Sequence, residues 1–170
     1  MPRSSGRQNK LTGQTGEYLV VAELARRGFI ATTFAGNVPT YDIIATDGLG
    51  RHISVQVKTS NSGSWQFNIS DFCEIKFQDN RQVIGSAKKL LIRGLIVVLV
   101  ILSHNQKMRD RFFILKWTKL RNIIILEHSK WLRIHNGIRP RNPKSLHCAI
   151  NVSHVLSYEN SWNTVSESIR

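Results

Sequence analysis

Tyr41-Asp42-Ile43-Ile44-Ala45-Thr46-Asp47-Gly48-Leu49-Gly50-Arg51-His52-Ile53-Ser54-Val55-Gln56-Val57-Lys58-Thr59 is the stretch on which the fold turns. Tyr41 to Thr46 is a short β-branched run, and Asp47-Gly48 is a hairpin-turn signal. The return run, His52 to Thr59, alternates. Ile53, Val55 and Val57 share one face of a strand, and Ser54, Gln56 and Lys58 share the other. Two polar residues with complementary chemistry, an amide and an ammonium, therefore stand side by side on one sheet face. A carboxylate, Asp42, enters on the preceding strand.

Working outward toward the N-terminus, Thr12-Gly13-Gln14-Thr15-Gly16-Glu17 opens a helix that runs to Arg27, with Gly28 as its stop. Val20, Val21 and Leu24 follow Glu17 by three, four and seven residues, so the glutamate shares the apolar face. A carboxylate on an inward face is uncommon and marks a candidate functional group; its simpler rival is a charge favoured by the helix N-terminus. Residues 1–12 read as a mobile basic arm, Phe29 to Phe34 as a strand, and Gly36 to Thr40 as a turn.

Toward the C-terminus, Trp65, Phe67 and Ile69 alternate with polar residues as in a strand. After a loop, a helix is expected from Asn80 to Leu91. Leu95–Ser103 and Arg111–Trp117 read as strands and Thr118–Arg133 as a helix. Gly137–Lys144 reads as a basic loop, His147–Val152 as a strand and Val155–Val165 as a last helix. The expectation is one domain over 13–170, with catalytic elements in 13–60. The apolar run Gly94–Leu102 falls far short of the about 20 residues a membrane span needs. No signal peptide is expected, because Met1–Lys10 is polar and basic. Two distant cysteines, Cys73 and Cys148, point to a reducing, cytoplasmic setting.

Charge adds a partner class. The chain carries 24 Lys+Arg against 11 Asp+Glu, a net of +13, and the excess is lopsided. Residues 1–80 hold 8 basic against 7 acidic side chains; residues 81–170 hold 16 against 4. A basic half of this kind fits a polyanion, since each cation set against a phosphate releases counterions. No basic amphipathic helix suited to a membrane surface stands out, so DNA rather than a membrane is the expected partner. Lys88, Lys89, Arg139, Arg141 and Lys144 are the candidate phosphate contacts, read as solvated side chains. The six histidines show no ligand-pair spacing for zinc.

Three pieces, Gly13-Gln14-Thr15-Gly16-Glu17, Pro39-Thr40-Tyr41-Asp42-Ile43-Ile44-Ala45 and Ser54-Val55-Gln56-Val57-Lys58-Thr59, together resemble the PD-(D/E)XK nuclease superfamily. The likeness is to its resolvase-like and homing-endonuclease-like branches with glutamine before the lysine. It covers residues 13–60 and implies an α/β (α+β) fold: a restriction-endonuclease-like αβββαβ core, with a central mixed sheet flanked by helices. It also implies a Mg²⁺- or Mn²⁺-dependent endonuclease hydrolysing DNA, working as a homodimer or homotetramer. Asp42, Gln56, Glu17 and the main-chain carbonyl of Val57 would hold metal, and Lys58 would position the attacking water. Two departures stand out. Pro39 lies three residues before Asp42 rather than adjacent to it, and Gln56 removes a negative charge from the metal site. The second departure keeps open a rival expectation, a non-catalytic DNA-binding module on a degenerate nuclease fold.

Overall fold

The structure is a computed structural model that describes residues 6–34, 36, 40–103 and 109–169. Helix α1 (Gly6–Ala25) leads into strands β1 (Ile30–Thr33), β2 (Ile43–Thr46) and β3 (His52–Ser60). Strand β4 (Ser64–Asn68), a single 3-10 turn (Ile69–Asp71) and the hairpin β5 (Cys73–Gln78) and β6 (Arg81–Ala87) follow. Then come β7 (Ile96–Ile101), β8 (Arg111–Lys116), α2 (Trp117–Ile134) and β9 (His147–Asn151). The short helices α3 (Val152–Val155) and α4 (Asn163–Ser166) close the chain around a second 3-10 turn, Leu156–Tyr158.

The central sheet is mixed, in the order β1-β2-β3-β7-β8. Strands β1, β2 and β3 pair antiparallel, β3 pairs parallel with β7, and β7 pairs antiparallel with β8. Ile96 to Val100 of β7 are wholly buried because the sheet is covered on both faces. Ile96, Val98 and Val100 pack with Val20 and Leu24 of α1. Val97 and Leu99 pack instead with Trp65, Phe72, Trp117 and Leu120. Each such side chain contributes about 1.5–3 kcal/mol on burial. This is the expected α+β class, a central mixed sheet with flanking helices.

The hairpin between β2 and β3 is built on Asp47. Its carboxylate accepts from the Leu49 and Arg51 amides (2.9 and 3.0 Å) and pairs with the Arg51 guanidinium at 2.6 Å. Helix α1 stops at Gly28, whose φ of 85° suits a residue without Cβ.

Three expectations are corrected. The helix expected over Asn80–Leu91 is strand β6 and an irregular segment, so the connection between the third and fourth core strands is built of strands. Val83-Ile84 is β-branched and turns about Asp79, which takes φ 55°. The neighbouring Gln82 is buried, with its amide nitrogen donating to the Pro143 and Ser145 carbonyls and its oxygen 3.1 Å from His128 Nε2. Pairing with β5, with these long-range bonds beside it, makes the segment a strand. The last helix, expected over Val155–Val165, is broken in two. Asn160 takes φ 53°, and Glu159 is drawn to β8 by a two-pronged pairing with Arg111 at 2.7 Å. The arm expected over 1–12 is helical from Gly6 on, held in part by Thr15 Oγ1 donating to the Leu11 carbonyl at 2.8 Å; residues 1–5 lie outside the described residues. No helix among the described residues is long and apolar enough to cross a membrane.

Candidate active site

Asp42 stands one residue before β2, where that strand parts from β3. Its amide donates to the Val55 carbonyl at 2.9 Å, and its carboxylate Oδ2 accepts from the Val57 amide at 2.7 Å. The register explains the geometry. Ile43 pairs with Val55, so β2 has run out opposite Val57 and a side chain takes the place of a strand partner. In an extended strand the N–H and C=O of one residue point to the same edge. The Val57 carbonyl therefore opens on the same gap as the Asp42 carboxylate. Pro39, the proline of the motif, lies outside the described residues.

Glu17 reaches this gap from α1. The helix comes close because residue 16 is glycine. A Cβ there would lie 1.9 Å from Thr59 Oγ1 and 3.0 Å from Thr59 Cβ. Gly16 is buried on the same helix stripe as Val20 and Leu24, and Glu17 beside it is half-buried. Burial, and then the Asp42 charge, push the Glu17 carboxyl above its ordinary range. Burial also pushes Asp42 up, against the Val57 hydrogen bond and the Lys58 ammonium, which both pull it down. The structure thus brings Asp42 into electrostatic reach of both Glu17 and Lys58.

Gln56 and Lys58 face the opposite side of the sheet from α1, beside Val97 and Leu99 in the register with β7. They line an open cleft of about 850 Å³ together with Thr40, Asp71, Lys88 and His147. Neither Glu17 nor Asp42 is part of the cleft wall. Asp42, one residue before the Ile43–Val55 pair, falls opposite Gln56 and lies within electrostatic reach of both Glu17 and Lys58, so it links the two halves of the expected quartet. Thr40 holds φ 86°, a costly conformation for a β-branched residue (on the order of 1–3 kcal/mol) and one that collects at functional sites.

Among the described residues, no three His, Cys, Asp or Glu side chains converge as a metal cluster. The candidate donor set is two carboxylates with the neutral oxygens of Gln56 and Val57. Hard oxygens in small number suit magnesium, which keeps several waters and takes further ligands from a phosphate substrate. Two carboxylates pushed upward at one strand gap are what a divalent cation would relieve, so the residues fit the ion.

The basic candidates divide. Lys88 lines the cleft beside Lys58, and Lys89, Arg141 and Lys144 are exposed. Arg139 is not a simply solvated side chain: it is half-buried, stacks over the Trp131 ring at 4.9 Å and donates to the His147 carbonyl. Asp71 and His147 were not legible as cleft residues. They reach it through the pairing of β4 with β9, Asn68 opposite His147, which joins segments some eighty positions apart. Nothing local in the sequence signals that pairing.

The structure is similar to that of a bacterial homing endonuclease, I-Ssp6803I, with a TM-score of 0.52 and 13% sequence identity over 93% of each chain. It also matches Hjc, a Holliday junction resolvase from the archaeal hyperthermophile Archaeoglobus fulgidus, at a TM-score of 0.44 and 15% identity, covering 90% of this chain and 95% of that one. No protein-family model and no curated protein matches the sequence. The first likeness shows a homing-endonuclease-like nuclease fold across almost the whole chain.

Proposed function

We propose that this chain, which has a nuclease fold, is a Mg²⁺- or Mn²⁺-dependent endonuclease that hydrolyses DNA phosphodiester bonds. The observation that carries the proposal is Asp42, clamped to the Val57 amide at 2.7 Å between Glu17 and Lys58. Asp42 and Glu17 supply the anionic ligands, and Gln56 and the Val57 carbonyl supply neutral ones. A divalent cation held there supplies charge stabilisation at the phosphate and lowers the pKa of an attacking water.

The chain's own groups do the rest. The Asp42–Val57 bond fixes the carboxylate without a rotamer search, so its oxygens are set before substrate arrives. Lys58, on the cleft side, donates to a phosphate oxygen or to the attacking water and offsets negative charge building on the phosphate. Lys88, which lines the same cleft, holds the backbone of the same strand. Cutting both strands of a duplex needs two such sites, which favours a homodimer or homotetramer. The reducing cytoplasm suits the two buried free thiols, of which Cys148 is pushed up to about 12 by burial.

The test is cleavage of plasmid and branched DNA with Mg²⁺ or Mn²⁺ by wild type, Asp42→Ala and Lys58→Ala. Wild type is expected to cut and both variants to fail; identical behaviour of the three ends the proposal. Gln56 is the specific feature favouring a second reading, a non-catalytic DNA-binding module. Tight, salt-sensitive DNA binding without cleavage in any divalent metal would support it.

A further inference from the structure

A second cleft, of about 660 Å³, adjoins the first: Leu90 and Trp117 line both. It lies at the end of the sheet where β3 begins and β8 ends. Lys89, Arg93, Lys116 and Arg121 converge on it from two separate stretches of chain, against one acid, Glu167. Arg121 is already engaged, donating to the Lys88 carbonyl at 2.9 Å and to the Asn122 side chain. Among the described residues, Lys89, Arg93 and Lys116 make no such bond to the cleft wall and supply its free cations.

Two further features point the same way. Lys116 is the N-cap of the 18-residue helix α2, makes no side-chain cap, and is followed by a first turn without an acidic residue. The first helix amide, of Trp117, already donates to the Leu95 carbonyl at 3.0 Å; cations at a helix N-terminus oppose the helix dipole, whereas an anion there is favoured by the dipole and the lysines together. Ser168, only 8% exposed, also lines this cleft, and its Oγ is buried with no hydrogen-bond partner. That Oγ is covered as it stands, and rotation about χ1 would bring the unused donor to an oxyanion in the cleft.

We infer that this second cleft is a phosphate-anchoring site for the DNA backbone, set apart from the site of cutting. The inference rests on the nucleic-acid reading of the first cleft and adds where the strand goes next. From Lys58 to His52, which lines the second cleft, is six positions along β3, or roughly 20 Å at ~3.3 Å per residue. That is the rise of about six base pairs at 3.4 Å each. The exposed segment Lys88-Lys89 bridges the two clefts, one lysine in each.

The experiment is fluorescence anisotropy of a labelled duplex in EDTA, where nothing is cut, across a salt series. It compares wild type, Arg93→Gln/Lys116→Gln, and a control of equal charge loss, Lys10→Gln/Arg133→Gln, at exposed sites away from both clefts. Thermal melts confirm that each variant folds. The cleft variant is expected to bind about tenfold more weakly, with a salt slope lower by about 1.8, as for two lost phosphate contacts. The control should stay near wild type. Equal weakening in both variants, or none in the cleft variant, overturns the inference and leaves the cleavage proposal standing. If wild type binds no DNA, or binds vesicles of anionic lipid in preference to it, both fall. Loss of cleavage with intact, cleft-dependent binding sinks only the catalytic proposal.

Discussion

Gly16→Ala is the most informative small perturbation, because one added methyl group tests whether helix packing sets the active-site geometry. The new Cβ would lie 1.9 Å from Thr59 Oγ1, and ordinary contact begins at 3.4 Å, so α1 and β3 must part by up to 1.5 Å or Thr59 must turn away. Thr59 is β-branched and stiff, and it sits mid-sheet, so it gives little. Overpacking of this kind costs about 1–3 kcal/mol, and alanine returns about 0.5–1 kcal/mol through helix propensity. The net loss is up to about 2.5 kcal/mol and centred near 1, or a Tm lower by roughly 2–5 °C at that centre for a chain of this size. The effect on cleavage should be larger, because Glu17 moves with the helix and a shift of about 1 Å can cost 100-fold. Thr59→Ala removes the colliding hydroxyl, which is itself buried without a partner, and should restore much of both losses in the double variant. Thermal melts and single-turnover cleavage of the four proteins close the cycle. A Gly16→Ala variant that melts and cuts like wild type would refute the claim that this close approach positions Glu17.

Other outcomes follow from the same structure. Folded Asp42 and Glu17 carry raised pKa values, so their protonated forms favour folding; metal-free stability should fall as pH rises from the ordinary carboxylate range through the raised values. Asp42→Asn should flatten that fall, and divalent cation should reverse it, both read by melts across pH. His128 is held down to about 4, first by burial and then by Arg139, so it folds neutral. Stability tied to it is present above pH 6.5 and is lost as pH drops toward 4; His128→Gln should remove that acid-side loss. Glu159→Gln breaks the two-pronged pairing with Arg111 and should cost about 1 kcal/mol, less at high salt, by denaturant titration.

Much of the candidate site's geometry was legible because it is made of local, short-range pattern. The alternation of β3 alone placed Gln56 and Lys58 on one face and Val55 and Val57 on the other, and the burial of the strand follows it. The spacing of Glu17 from Val20 and Leu24 marked the buried stripe of α1. What was not legible depends on partners distant in the chain. Gln82-Val83-Ile84-Gly85-Ser86-Ala87 is a strand because it pairs with β5, and the 143–145 loop and His128 hold its Gln82 side chain. Arg139 looked solvated until Trp131 and the His147 carbonyl were beside it. Gly16 was visible as part of a motif, but its reason, the Thr59 side chain on a strand forty-three positions on, was not.

The most direct measurement is the divalent-metal dependence of plasmid cleavage by wild type and Asp42→Asn, run side by side with Gln56→Glu. The proposed function predicts saturable Mg²⁺- or Mn²⁺-dependent cutting by wild type and a loss of about 100-fold or more in Asp42→Asn. Gln56→Glu should saturate at lower metal concentration, because it adds an anionic ligand to the site. Cutting that is independent of metal, or equal in wild type and Asp42→Asn, would contradict the assignment of Asp42 as the centre of the site.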